Sequence, residues 1–491
     1  MYGSVAKLRR RSIPKRYIVT LLGMLGIFNV YTMRVNLNVA LVAMVSSTTS
    51  DARDNVTSAT ECSVTSPTDY QETRNQKRVN VEQYDWDAKT RGNIKGSFFY
   101  GYFVTVLTGG FLAERVGAKA TFGAGVLLTA VLTLLTPLAA GWGLAPFLAI
   151  RALEGVGEGL TFPAINSLIS RWAPRLERSR ISSAIFIGAP IGTVVSLSIS
   201  GWLCNSDVMG GWPSVFYLFG AIACVWAIFW FIFVQESPHV CSGISPQELA
   251  LYGNIGEIHS VQKRPQALYR KIASSLPFWS VLVSHVAMYF GFATLLIDLP
   301  NYLTTVHHLG LETSGLLTGL PNLFECVGAV MASFAADTLV ATDRLAITTV
   351  RKIFNSIALY GACACLVGIS LSGCDSTAAV AFFSLFMFIS GFKYSGFNVT
   401  HVDMCPPLAG TLYGFTNGIA CLSGIVAPLM VGYFTTSGDT LANWSKVFYT
   451  TSGVYFVAAT FYALFASAEP QPWVVTPRIS GRTSSIVKTE L

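Results

Sequence analysis

About twelve stretches of roughly 20 or more predominantly apolar residues run through this sequence, and they leave few folds open. They lie near 17–45, 94–113, 119–140, 145–170, 181–203, 214–234, 278–303, 313–336, 352–372, 377–400, 410–435 and 446–468. A helix needs about 20 such residues to cross the hydrocarbon layer of a bilayer. The stretches are too long and too uniformly apolar for barrel strands, so each is expected to be a transmembrane helix. Only 12% of the 491 residues are charged and 52% are hydrophobic. A soluble domain carries about 25% charged residues. The expected fold class is therefore all-α integral membrane. No cleavage site follows the first apolar run, so the first span is expected to serve as its own insertion signal.

The formal charge of +7 reports topology rather than nucleic-acid binding. The segment 7–16 (KLRRRSIPKR) has six basic residues and no acid. The loop RWAPRLERSR (171–180) is rich in Arg, and the loop 235–277 ends in KRPQALYRK. Loops near 141, 307, 374 and 439 are almost free of Lys and Arg. Basic loops face the cytoplasm, so both termini are expected there. The first long loop, 46–93, faces the other side and is rich in Ser, Thr and Asn. It holds the sequon Asn55-Val-Thr; Asn443-Trp-Ser is a second sequon on the same side, and both are candidate glycosylation sites. Cys62, Cys204 and Cys374 also fall on that side, where a disulfide is permitted. Cys62 with Cys374 is a candidate pair. No zinc-type spacing occurs among the ten Cys.

The spans divide six and six. A basic segment (1–16) precedes an N-terminal half (17–234), a central loop (235–277), a C-terminal half (278–468) and a tail (469–491). GGFLAERVGAK (109–119) closes the second span, and SFAADTLVATDR (333–344) closes the eighth. Both read small-Phe-x-Ala-acid. Repeated halves are a construction plan of transporters, with the substrate site at the midplane between them. Gly110 lets helices approach closely, and Glu114, Arg115 and Asp337 are candidates for a conformational latch. An ordinary charged turn is the alternative.

Charge inside the spans is the most informative feature. An ionisable residue at the bilayer centre costs at least about 2.5–3.5 kcal/mol. Yet RALEGVGEGL (151–160) places Arg151, Glu154 and Glu158 at i, i+3 and i+7, on one helix face. The first span holds Arg34 with Asn36 and Asn38. Such a face must point into the bundle. The arginines either neutralise the glutamates as structural ion pairs or clamp an anion. Burial disfavours a carboxylate's charge and a nearby Arg restores it. A Glu balanced between these can carry a proton across, so Glu154 and Glu158 are candidates for proton coupling.

The stretches YTMRVNLNVALVAMV (31–45), YDWDAKTRGNIKGSFFYGY (84–102), RALEGVGEGLTFPAINSLISRWAPRLERSR (151–180) and GFNVTHVDMCPPLAGTLYGFTN (396–417) together resemble the anion–cation symporter family. GGFLAERVGAK resembles the loop signature of the major facilitator superfamily, to which that family belongs. The resemblance runs from about residue 16 to 470 and is strongest to the sialin-like branch of lysosomal sialic-acid/proton symporters. It extends to the sodium–phosphate cotransporters and the vesicular glutamate transporters. It implies a twelve-helix fold in two six-helix halves. It implies anion contacts from Arg34, Arg151, Phe98, Phe99 and Tyr102, proton movement through Glu154 and Glu158, and polar positions at Ser395 and Asn398. The last two also suit helix–helix hydrogen bonding.

Some positions depart from that branch. Lys95, Asn166, Phe186 and Met288 differ from the expected residues, and Asp298, Glu325 and Lys393 add ionisable groups. Lys393 is expected to snorkel from a span end. The expected function is proton-coupled symport of an organic anion, sialic acid or another acidic sugar or carboxylate. Sodium-driven phosphate or organic-anion cotransport, vesicular transport of acidic amino acids, and a non-transporting anion sensor are the alternatives. No cofactor is expected beyond the coupling ion, a proton or sodium. No enzyme is expected, because no nucleophile or metal cluster is apparent. The expected partners are the small anion and the lipid bilayer, and the C-terminal TEL is a weak candidate ligand for a PDZ domain. A lysosomal, vesicular or plasma membrane would suit such a carrier.

Overall fold

A computed structural model describes residues 13–45, 62, 84–206, 208–252, 266–307 and 319–473. The Asn55 sequon, the basic residues before Ile13 and the C-terminal TEL lie outside the described residues, as does the Asp298 side chain. The described chain is helical, and one isolated bridge, Val45 to Tyr84, closes the base of the first long loop.

The N-terminal half contains α1 (Lys15–Met44), α2 (Ala88–Arg115), α3 (Ala118–Trp142), α4 (Leu144–Gly159), α5 (Thr161–Trp172), α6 (Arg178–Phe186), α7 (Gly188–Cys204) and α8 (Trp212–Phe233). The C-terminal half contains α9 (Leu276–Thr305), α10 (Pro321–Ala341), α11 (Ile347–Leu371), α12 (Ser376–Ser390), α13 (Phe397–Met404), α14 (Ala409–Cys421), α15 (Ser423–Thr435) and α16 (Leu441–Phe465). Several are pieces of one span: α6 runs on into α7, α14 runs on into α15, and a 3₁₀ turn, Gly391–Ser395, links α12 to α13.

Eleven helices among the described residues are long and apolar enough to cross a membrane. The fourth expected span is the exception. It carries Arg151, Glu154 and Glu158, and it breaks at Leu160 between α4 and α5. Pro163 has no N–H to offer the α4 end, and Thr161 Oγ1 caps the Glu158 carbonyl at 2.6 Å. With α4–α5 counted as one span, the chain crosses twelve times.

The described chain begins and ends at one end of the bundle, here called the terminal face, where Lys15 N bonds Glu248 and Ala468 N bonds Thr348 Oγ1. Acids from loops on that face cap the helices beginning there. Glu248 accepts from the backbone N–H of Lys15 and Arg16, and Glu236 accepts from those of Ala118 and Lys119. Such acids complement the positive end of a helix dipole. At the opposite face, Cys62 and Cys374 form a disulfide, tying the loop after the first span to the loop after α11, 312 residues away. Cys204 is a free thiol.

The halves meet along few elements. α2 and α5 pack on α14, and α6 and α7 pack on α10. Within the N-terminal half, α2 packs on α4 with the backbones nearly touching. A Cβ at Gly155 would land on the carbonyl oxygen of Phe98, so only glycine permits this crossing. The crossing holds the charged face of α4 beside the aromatic face of α2.

Asn443 corrects one expectation. It is 7% exposed, and its Nδ2 donates to Ser437 Oγ at 3.1 Å and to the Gly438 carbonyl at 2.9 Å. That nitrogen is used inside the fold and is not presented for a glycan.

Candidate functional site: a charged cavity between the halves

A cavity lies between α1, α2, α5, α6 and α7 of one half and α9, α10, the 3₁₀ turn, α13 and α14 of the other. Arg34 projects into it from α1. Its guanidinium pairs with Glu158 of α4. Aromatic rings surround it, with centroids 4.9 Å away at Tyr102, 5.1 Å at Phe98 and 5.3 Å at Tyr31. Ring faces attract a cation and exclude water. Arg34 is the exposed member of its pair, at 16% against 0% for Glu158. Its Nη2 is buried with no hydrogen-bond partner among the described residues. An unmet buried donor is costly, and an anion in the cavity would meet it.

Arg151 and Glu154 form a second ion pair one layer behind, both almost fully buried. Glu154 Oε1 also accepts from Thr136 Oγ1 at 2.8 Å. Phe98 separates the two arginines, its ring 5.7 Å from the Arg151 guanidinium. Arg151 does not line the cavity.

The C-terminal half supplies Glu325 and Lys393, an ion pair at 2.6 Å, with Tyr394 Oη donating to Glu325 at 3.0 Å. Asn322, Asn398 and Asn417 also line the cavity. Asn417 Nδ2 donates to Tyr102 Oη at 2.9 Å, linking the halves at mid-depth. The cavity's free volume is ≈ 100 Å³. Small-molecule sites span about 300–1,000 Å³, so the halves must part to admit a ligand.

Polar contacts between the halves concentrate at the terminal face. Glu114, at the end of α2, accepts from Thr411 N at 2.9 Å and Thr411 Oγ1 at 2.8 Å, in the first turn of α14. Asp337, at the end of α10, accepts from Ser179 N at 3.1 Å and Arg180 N at 2.9 Å, in the first turn of α6. Each carboxylate thus caps a helix of the other half, where the helix dipole favours an anion. Gly110 meets Gly410 at the same level, and a Cβ there would collide with the Gly410 carbonyl. Asp403 joins Arg178 of one half to Arg351 of the other, each at 2.7 Å. These contacts close the terminal face.

The structure therefore brings Arg34, Tyr102 and Asn398 to the cavity wall, with Glu158 and Phe98 directly behind. It does not bring all the expected residues there. Phe99 is 39% exposed on another face of α2, edge-on to Phe98 at 5.4 Å. Ser395 is buried against α11, where its carbonyl accepts from Arg351 at 3.3 Å. Arg115 stacks over Phe111 of its own helix at 5.4 Å and does not reach the other half among the described contacts. Lys393 does not snorkel; it is held inside the bundle by Glu325. Among the departures, Met288 and Phe186 line the cavity, whereas Lys95 is exposed and Asn166 is buried away from it. The pairing of Glu325 with Lys393 escaped sequence reading. Each was visible as a charge in an apolar run, but 68 residues and two spans separate them.

The Major Facilitator Superfamily profile matches residues 23–428. Sialin of Homo sapiens is 39% identical over 462 residues, which cover 94% of this chain and 91% of that protein. A putative inorganic phosphate cotransporter of Drosophila melanogaster is 34% identical, covering 96% of this chain and 89% of its own. Among solved structures, the proton:xylose symporter XylE superposes with a TM-score of 0.68 at 13% identity, over 93% of this chain and 97% of that one. The two halves, the charged cavity and these likenesses agree. The chain is a multi-pass membrane transporter, not an enzyme, and it belongs to the major facilitator superfamily.

Proposed function

We propose that this protein is a proton-coupled symporter of an organic anion, sialic acid or another acidic sugar or carboxylate, working by alternating access. The observation that carries the reading is the Arg34–Glu158 pair at the cavity wall, with Arg34 Nη2 unmet. Arg34 has two claimants, Glu158 and the cargo's carboxylate. A proton on Glu158 releases Arg34 to the cargo; loss of that proton returns Arg34 to Glu158 and expels the cargo. Proton and anion then bind together, which is the linkage that symport requires. The aromatic rings supply apolar walls for the body of the cargo. Arg151 and Glu154 hold the α4 face in place behind Phe98, and the latch at the terminal face holds one of two alternating states. The basic loops on that face support a cytoplasmic placement of both termini. Similarity to sialin supports an acidic sugar as cargo.

The competing cargo is inorganic phosphate, because a relative is named a putative inorganic phosphate cotransporter, with sodium as the alternative coupling ion. Uptake of labelled sialic acid into proteoliposomes separates the two. With sodium replaced by choline and an inward proton gradient imposed, uptake is expected to saturate and to collapse with a protonophore. Uptake that requires sodium and ignores the proton gradient would sink the proton reading.

A further inference from the structure

The C-terminal half repeats the design of the N-terminal site with other residues. In each half an ion pair lies at the cavity, and in each the cation is the more exposed member; Glu325 lines the cavity beside Lys393, whereas Glu158 lies behind the wall. Arg34 is 16% exposed against 0% for Glu158, and Lys393 is 18% exposed against 4% for Glu325. Gly391 lets the 3₁₀ turn carrying Lys393 sit against the backbone of α10, because a Cβ there would collide with the carbonyl of Glu325. Glu325 is fixed by Tyr394 Oη at 3.0 Å. The Lys393 ammonium has three N–H donors and one acceptor among the described residues, Glu325 at 2.6 Å. Asn398 lines the same cavity, and its Nδ2 is buried with no hydrogen-bond partner. Each half therefore offers a cation and an unmet N–H donor to one shared space.

A monoanion held by Arg34 uses only one of these poles. We propose that Lys393, positioned by Glu325, receives a second acid group of the cargo, and that the cavity favours organic dianions of the dicarboxylate class. This rests on the anion-transport reading above. A dianion spanning the poles would join the two halves through the cargo, so the second contact serves closure as well as selectivity.

Two labelled probes on the same six-carbon skeleton test it: glucuronate, with one carboxylate, and glucarate, with two. Lys393→Met alone would strand a buried carboxylate, so the informative variant pairs it with Glu325→Gln. The unmutated protein is expected to take up glucarate at a lower half-saturation concentration than glucuronate. In the neutral double variant the ratio of the glucarate value to the glucuronate value is expected to rise about tenfold or more, the scale of a lost charge-assisted hydrogen bond. The swap Glu325→Lys with Lys393→Glu keeps an ion pair but presents the wrong sign, and is expected to lose glucarate selectively. If the swap transports both probes as the unmutated protein does, the pair is structural only and the proposal is overturned. It is likewise overturned if glucuronate enters and glucarate does not, or if the double variant leaves the ratio unchanged. If the unmutated protein takes up neither probe nor sialic acid, the anion-transport reading itself falls and takes this proposal with it.

Discussion

Arg34 is attractive as an anion site because it is charged, caged by rings and only partly answered by Glu158. Its planar fork matters, since a lysine offers a point charge and no bidentate geometry. Arg34→Lys is expected to fold normally and to lower uptake at subsaturating anion by about 10-fold or more; near-normal uptake would remove Arg34 from the site. Arg151 makes a different prediction. It touches Glu154 rather than the cavity, so Arg151→Ala strands a buried carboxylate and is expected to cost about 3–5 kcal/mol of stability. Adding Glu154→Gln is expected to restore most of the thermal stability in detergent. Lost uptake in an Arg151→Ala protein of unchanged thermal stability would instead place Arg151 on the cargo. The sequence distinguished these arginines poorly. Both stand in apolar runs, and only the position of Phe98 between them separates wall from backing.

At the scale of helices, the α2–α4 crossing and the two latches are expected to govern function. Gly155→Val is expected to force α4 from α2, tilting Glu158 away from Arg34 and abolishing uptake, with loss of folded protein on size exclusion. Normal uptake by that variant would refute the close crossing. The latches are expected to act differently, because alternating access requires that they form in only one state. Asp337→Asn keeps an acceptor but loses the charge that answers the first turn of α6. It is expected to shift the population toward opening at the terminal face, read as several-fold faster thiol labelling of a cysteine introduced at Ser167. Unchanged labelling would reduce Asp337 to an ordinary cap. The helices themselves were legible because hydrocarbon thickness demands about 20 apolar residues. The break in the fourth span was not, since Leu160 is as apolar as its neighbours and a proline in a first turn leaves no periodic signature. Both acidic latch residues were legible from the repeated small-Phe-x-Ala-acid pattern. Their partners were not, because most of them are backbone N–H groups of a distant helix, which carry no residue identity.

Across the whole molecule, the two halves are joined by polar latches at the terminal face and by the Cys62–Cys374 disulfide at the other. The disulfide is expected to appear as one linked peptide pair in a non-reducing digest, and free thiols at both positions would contradict it. The six-and-six division was legible from the polar central loop and the echo between the halves. The cavity's full lining was not, since it draws residues from nine helices and the 3₁₀ turn, and its ion pairs bridge different spans. On the function proposed above, the two halves enclose a switch in which Arg34 alternates between Glu158 and a cargo carboxylate. The most direct test is to record proton entry and anion entry together. Purified protein in proteoliposomes with a trapped pH dye would be given external sialic acid with no imposed gradient. The account predicts that the lumen acidifies as the anion enters, and that Glu158→Gln still exchanges internal for external anion but moves no protons. Anion entry without acidification in the unmutated protein, or full proton movement in Glu158→Gln, would contradict it.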